Sequence, residues 1–223
     1  METIRRKLST ITIELVDYYH KLERAYTVDE PQSYEWLIKN VKPDWVCLDI
    51  GAHVGTYTIL LSNLCSQVYA FEANMDTFYK LEHNLQHNGL NPATFCIAVG
   101  EKTVNQREEQ LWYAGKVSGP TKGVFDFIAI DDFVSKTNLS NVNFIKIDVD
   151  GWDYEVLQGA RNTIEKFKPA MIVEVNRGVK CRGHTTKQFI QYFYDLGYWI
   201  KGIGYPYPGN WLCLPETKVK SFL

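Results

Sequence analysis

Trp45-Val46-Cys47-Leu48-Asp49-Ile50-Gly51-Ala52-His53-Val54-Gly55 is the stretch on which the reading of this chain turns. An apolar run interrupted only by Asp49 ends at a glycine, and a second glycine follows four positions later. Such a run reads as a short strand buried on both faces. Gly51 permits a tight turn at its end, and Gly55 lets a following helix, Val54 to Leu64, pack closely against it. The same rhythm continues. Gln67 to Glu72 reads as a strand, and a helix with Phe78, Leu81 and Leu85 on one face stops near Asn88-Gly89. Strands are expected at Ala93 to Val99, Phe144 to Val149 and Ala170 to Val175. Val156, Leu157, Ala160 and Ile164 mark one further helix, and Phe189, Ile190, Phe193 and Leu196 another, ending at Gly197. Tyr198 to Ile203 and Trp211 to Leu214 close the chain as an antiparallel hairpin on the sheet edge. Alternating strands and helices of this kind give a parallel sheet covered on both faces.

Before Trp45, Ile4, Leu8, Ile11, Leu15, Tyr18, Tyr19 and Leu22 fall at helical spacing, which predicts an amphipathic helix from Ile4 to Ala25 and a second through Tyr34 to Val41. The organisation expected is a helical extension over residues 1–41 packed on a main domain of residues 42–223. Within the latter, residues 101–132 break the rhythm with a polar hairpin-like piece and then Gly115, Gly119, Pro120 and Gly123, in the manner of a lid.

Composition narrows the function. Lys plus Arg is 24 and Asp plus Glu is 26 in 223 residues, a net charge of −2 that disfavours attachment to nucleic acid by bulk charge. Hydrophobic residues at 45% are too many for a disordered chain. No apolar run reaches the ~18 residues of a membrane-spanning helix. Met1 to Arg6 leads into charged residues with no apolar leader segment, so a cytoplasmic setting is expected. Cys47, Cys65, Cys96, Cys181 and Cys213 are widely spaced, without a Cys-x-x-Cys pair, and predict neither a zinc site nor a disulfide framework.

The glycine loop reads Asp-x-Gly-x-x-x-Gly. Ala52 and His53 stand where a dinucleotide loop needs its middle glycine, so space for a pyrophosphate is missing. About twenty residues on, Glu72 closes the second strand, where an acid can accept both hydroxyls of an adenosine ribose. Adenosine without phosphate describes S-adenosylmethionine. Asp49, Gly51, Ala52, Gly55 and Glu72 are therefore the expected cofactor residues, with Ala98 and Val99 flanking the adenine.

These segments resemble a known family. The run from Val46 to Thr58, then Val68-Tyr-Ala-Phe-Glu72, is similar to the opening of the FkbM methyltransferases. Ile130-Asp131-Asp132-Phe133, Phe144-Ile-Lys-Ile-Asp148-Val-Asp150-Gly151, Leu157-Gln-Gly159-Ala160 and Met171-Ile-Val-Glu174-Val continue the likeness. Two positions depart from the family pattern: His53 replaces the usual Asn, and Asp150 the usual Glu. The resemblance implies a Rossmann-like class I methyltransferase, with a mostly parallel seven-stranded sheet and a reversed edge strand. It also implies S-adenosylmethionine as donor, S-adenosylhomocysteine as product, and transfer to oxygen on a sugar or small hydroxylated natural product.

Transfer to an alcohol requires the removal of a proton of high pKa, so a base or a metal is expected beside the sulfonium. Asp148, at a strand's carboxyl end on the same rim as Gly51 and Glu72, is the first candidate, with Glu174 and His53 beside it. Asp148, Asp150 and Glu174 together are also candidates for holding Mg²⁺, although no metal is predicted. His184 is a lesser candidate. Lys146 needs an acidic partner if buried, and Trp152, Tyr205, Tyr207 and Trp211 are candidates to stack on a ring. Methylation of protein or RNA nitrogen is the alternative chemistry, disfavoured by the absent basic patch, and a non-catalytic binding module is the alternative class.

Overall fold

The structure is a computed structural model and describes residues 3–8, 10–16, 30–111, 121–175, 182–203 and 209–222. The central sheet takes its strands from β3 (Val46–Ile50), β4 (Gln67–Phe71), β5 (Ala93–Phe95), β9 (Phe144–Ile147), β10 (Ala170–Glu174), β11 (Tyr198–Ile203) and β12 (Asn210–Pro215), in the order β11-β12-β10-β9-β3-β4-β5. The pairs from β10 through β5 are all parallel, and β12 is antiparallel to both its neighbours. The seven-stranded α/β sheet is thus as expected. The reversed strand is not the edge strand, however: β12 lies one place inside and β11 forms the edge. All six residues of β12 are buried, whereas β11 exposes Lys201 and Gly202. The more apolar strand takes the inner place.

Helices α1 (Pro31–Asn40), α2 (Thr56–Leu64), α3 (Met75–His87), α4 (Ile130–Lys136), α5 (Asp153–Gly159), α6 (Arg161–Phe167), α7 (Thr186–Asp195) and α8 (Val219–Phe222) cover the sheet. Two core layers result. One holds Leu48, Ile145, Val173 and Trp211 against Val156, Ile164 and Phe193; the other holds Cys47, Phe144, Ile172 and Leu212 against Ile59, Leu60 and Trp36. Among the described residues no helix is long and apolar enough to cross a membrane.

The start of the chain corrects the expected helix. Thr3–Leu8 and Ile11–Val16 form an antiparallel hairpin, β1 and β2. Ile11, Ile13 and Leu15 alternate with polar residues, and the β-branched Thr10-Ile11-Thr12-Ile13 favours a strand over the helix that the wider spacing suggested. Residues 17–25 of that expectation lie outside the described residues. The hairpin is tied down by side-chain amides of α3 and of its C-cap residue. Asn84 accepts from the Val16 N–H at 2.8 Å and donates to the Val54 carbonyl at 2.8 Å, while Asn88 exchanges two hydrogen bonds with the Glu14 backbone.

Two further segments break where continuity was expected. Ala93 to Val99 divides between β5 and β6 (Ala98–Val99), and β6 belongs to a second sheet ordered β6-β8-β7 with β7 (Val104–Leu111) and β8 (Thr121–Ile128). The helix around Ala160 divides into α5 and α6 at that residue, whose φ is −109°. Asp131 on α4 there accepts hydrogen bonds from the backbone N–H groups of Asn162 and Thr163 at 3.0 and 2.8 Å, capping the new helix. Gly159 ends α5 against the loop after β6, where a Cβ would lie 2.1 Å from the Gly100 carbonyl oxygen.

Candidate active site

The carboxyl ends of β3, β4, β9 and β10 share one rim. Gly51 turns the chain there at φ +83°, and a Cβ on it would lie 1.8 Å from the Asp148 carbonyl oxygen. The Gly51 and Ala52 N–H groups both donate to the Phe71 carbonyl at 2.9 Å, which lashes the loop to β4. Gly55, at φ +99°, leaves room for Leu81 of α3. His53 has φ +52° and Asp150 φ +50°. Asn, Asp and His are the non-glycine residues best suited to this left-handed region. The two departures from the family pattern therefore keep residues the backbone tolerates.

Glu72 lies just past β4 and is 7% exposed. Its Oε2 accepts from the His53 N–H at 2.9 Å and its Oε1 from the Asn74 N–H at 2.8 Å. One acceptor site on each oxygen is left over. Burial pushes its carboxyl up to about 7 against the effect of these two bonds. Asp49 is fully buried on β3, bonded to the Thr58 hydroxyl at 2.5 Å, and burial raises it to about 6. Its place is inside the fold beneath the loop. Of the pair expected to flank adenine, Ala98 packs with Trp152 and Phe127 near Ala73, beside Glu72, whereas Val99 belongs to the main core.

A polar row crosses the adjoining strands on one face. Asp49 pairs in register with Lys146, Lys146 with Ile172, and Glu174 with Asn210. By the two-residue period of strands, Asp49, Lys146, Glu174 and Asn210 continue the face of Cys47, Phe144, Ile172 and Leu212. Lys146 is 1% exposed, its ammonium 2.9 Å from Asp148 Oδ2 and 4.9 Å from the Tyr57 ring centroid. Burial opposes both charges of this pair. The attraction between them wins, so Asp148 is held below the usual carboxylate range and Lys146 above the usual amine range. Burial and the neighbouring Asp148 charge drive Glu174 the other way, so it carries the proton in the hydrogen bond that the two share. Burial lowers His53, partly opposed by Asp148, which leaves its imidazole neutral at pH 7.

Asp148, Asp150 and Glu174 do not gather into a metal-holding cluster among the described residues. Asp153 accepts from the Val149 and Gly151 N–H groups at 3.1 and 3.0 Å and so fixes the Asp148–Trp152 loop from below. Sequence reading missed the surroundings of Trp152. The indole is buried beneath the Arg182 guanidinium, 3.5 Å from its ring centroid, with Arg107 of β7 at 5.4 Å. Arg182 and His184 both meet Glu155, at 2.6 and 3.3 Å. Trp211 is a core residue, and Tyr205 and Tyr207 lie outside the described residues. Nothing in the spacing of Arg107 or Arg182 announced their approach to Trp152.

A parallel sheet with one reversed strand, a glycine turn after β3 and an acid after β4 define a Rossmann-like methyltransferase fold. Two of the solved structures that share it illustrate the likeness. FkbM methyltransferase from Methylobacillus flagellatus KT aligns at TM-score 0.60 and 20% identity over 88% of this chain and 49% of its own. A Streptococcus mutans protein, SMU.1697c, solved in complex with SAH, aligns at TM-score 0.53 and 11% identity over 82% and 93%. The family model described as the methyltransferase FkbM domain matches residues 49–200. The chain belongs to the FkbM methyltransferase family. The hexuronic acid methyltransferase AglP of Haloferax volcanii is 28% identical over 147 residues, which are 64% of this chain and 61% of that protein.

Proposed function

We propose that this chain transfers a methyl group from S-adenosylmethionine to a hydroxyl of a carbohydrate acceptor. The observation that carries the reading is the rim itself, where an acid with two spare acceptor sites, Glu72, is bonded to the backbone of His53, whose neutral imidazole lies within the field of an ionised carboxylate, Asp148. The donor set suits adenosine. Glu72 would take the ribose hydroxyls, Gly51 and Ala52 the loop-side contact, and Ala98 one edge of the adenine pocket, with Asp49 and Gly55 shaping the loop. Bound there, S-adenosylmethionine supplies an electrophilic methyl group.

The rest falls to the protein. His53 is the base for the acceptor hydroxyl proton, being neutral and able to accept it. Asp148 stabilises the imidazolium that forms, and Lys146 keeps Asp148 ionised. Glu174, carrying its own proton, acts as a hydrogen-bond donor rather than a base. The hexuronic acid named for AglP supports a sugar acceptor. The β7–β8 hairpin, resting on Trp152 through Arg107, is the segment we assign as the lid.

The test is incubation with labelled S-adenosylmethionine and a glycan panel that includes hexuronic acid sugars. The expected product is an alkali-stable methyl ether. Label released by mild alkali would mean a carboxylate ester and would remove the need for a base. His53→Asn keeps the left-handed backbone and should slow transfer by about 10²-fold with S-adenosylhomocysteine affinity unchanged.

A further inference from the structure

Asn210 is a buried polar residue that the proposed reaction leaves unused. It opens β12, is 5% exposed, and its Oδ1 has no hydrogen-bond partner among the described residues. A carbonyl oxygen taken out of water without a partner is destabilising, and such atoms are few in native proteins. This one stands directly opposite Glu174 in the antiparallel β10–β12 ladder, on the face that also carries Lys146 and Asp49. Directly opposed side chains start from Cβ atoms about 4.5–5.5 Å apart. The neighbouring Gly209 adds no side chain, and even a Cβ there would come only to 4.0 Å from Glu174 Oε1. Glu174 has a single proton and gives it to Asp148, so it does not supply the donor that Asn210 lacks.

We propose that Asn210 recognises the acceptor: its Oδ1 accepts a hydrogen bond from a hydroxyl of a sugar-class acceptor held on the rim beside Glu174 and Asp148. This rests on the functional reading above. An amide oxygen requires an O–H or N–H donor, and the adjoining Glu174 and Asp148 present further oxygens. The row therefore suits a ligand rich in hydroxyl donors. Asn210 fixes the orientation of that ligand and takes no part in proton removal.

The test is Asn210→Leu, which has similar size and no polar atom. Its melting temperature should equal or exceed that of the wild type, because an unpaired buried oxygen is removed. Its affinity for S-adenosylhomocysteine, measured by calorimetry, should stay within about twofold. KM for the best glycan of the panel should rise about tenfold, the scale of one lost hydrogen bond, with a smaller change in kcat. A clearly lower melting temperature would reveal a structural partner, and lost S-adenosylhomocysteine affinity a cofactor contact; either overturns the proposal. Wild type that methylates a glycan while Asn210→Leu keeps its KM overturns it alone. Wild type that binds S-adenosylhomocysteine but methylates no glycan overturns the acceptor class, and this assignment with it.

Discussion

The loops after β3 and β9 lie side by side on one rim and are built alike, but they manage charge in opposite ways. Each has a non-glycine residue in the left-handed region, His53 in one and Asp150 in the other, and each turns on glycine with positive φ, Gly51 and Gly55 in the first and Gly151 in the second. Beside the first loop, Glu72 is held by two backbone N–H groups, and burial brings it close to neutrality. In the second loop, Asp148 faces the buried Lys146 ammonium and keeps its charge. A carboxyl held near its titration point by neutral donors is suited to receive further hydroxyl groups. A carboxylate fixed by a lysine is suited to stabilise a cation forming beside it. Under the proposed reaction, this difference gives Glu72, beside the first loop, the role of holding the cofactor, and gives Asp148, in the second, the role of supporting the proton that His53 takes up across the rim.

The two loops also touch, and the largest effect should come from forcing them apart. Gly51→Ala would place a Cβ 1.8 Å from the Asp148 carbonyl oxygen, at a φ of +83°. We expect a loss of more than about 4 kcal/mol in urea unfolding, or no folded protein. Gly197→Ala is the control. Its φ is +69° and a Cβ would meet nothing within 4 Å, so only the backbone strain of about 1–2 kcal/mol applies. Similar small losses in both variants would show that the loops are not in contact.

Asp148→Asn should come next. It leaves the Lys146 charge buried without its counter-ion, at a cost of about 3 kcal/mol. Turnover should fall by about 10²-fold, with S-adenosylhomocysteine affinity little changed. Glu72→Gln should do the reverse. It strands no cation and should lower stability by only about 1 kcal/mol, while S-adenosylhomocysteine affinity falls by about 1–3 kcal/mol. Variants that lost affinity and turnover together would erase the division between the loops.

What the sequence made legible follows the same boundary. The central strands are apolar runs ending in glycine or acid, and that pattern placed Gly51, Glu72, Asp148 and Glu174 on one rim. Two things were hidden. The N-terminal hairpin was hidden because Ile4, Leu8, Ile11 and Leu15 satisfy a helical period as well as a strand one, and the amides that anchor it, Asn84 and Asn88, lie about seventy residues away. The charge states were hidden because they depend on depth and on register. Lys146 beside Asp148 was legible as a pair, but not that burial would make Glu174 the protonated partner and His53 the neutral one. Asn210 became visible only once β12 paired with β10 in a register opposing it to Glu174.

The smallest effect, and the finest probe of the comparison, is pH. In the ligand-free protein the Glu72 carboxyl titrates at about 7, raised by burial. Hydroxyl donors favour its ionised form, so below that pH binding must expel a proton. S-adenosylhomocysteine affinity should therefore be flat above pH 7 and weaken below it, by at most about tenfold per pH unit. Asp148, held low by Lys146, adds nothing in this window. Asp49, at about 6, and Asp153, at about 7, do titrate nearby. Their effect separates by sign and by readout. A carboxyl raised on folding contributes stability that is complete below its unfolded pKa and lost as pH rises through its folded value. The melting temperature of the ligand-free protein should accordingly fall between about pH 4 and 7 through Asp49, Glu72, Asp153 and Glu174 together, with Glu174, raised to about 11, continuing the fall above pH 7. Glu72→Gln should flatten the affinity profile and leave most of the stability profile, since three of the four raised carboxyls remain. An affinity profile that kept its slope in this variant would place the titrating group elsewhere on the rim and end Glu72's claim to the ribose.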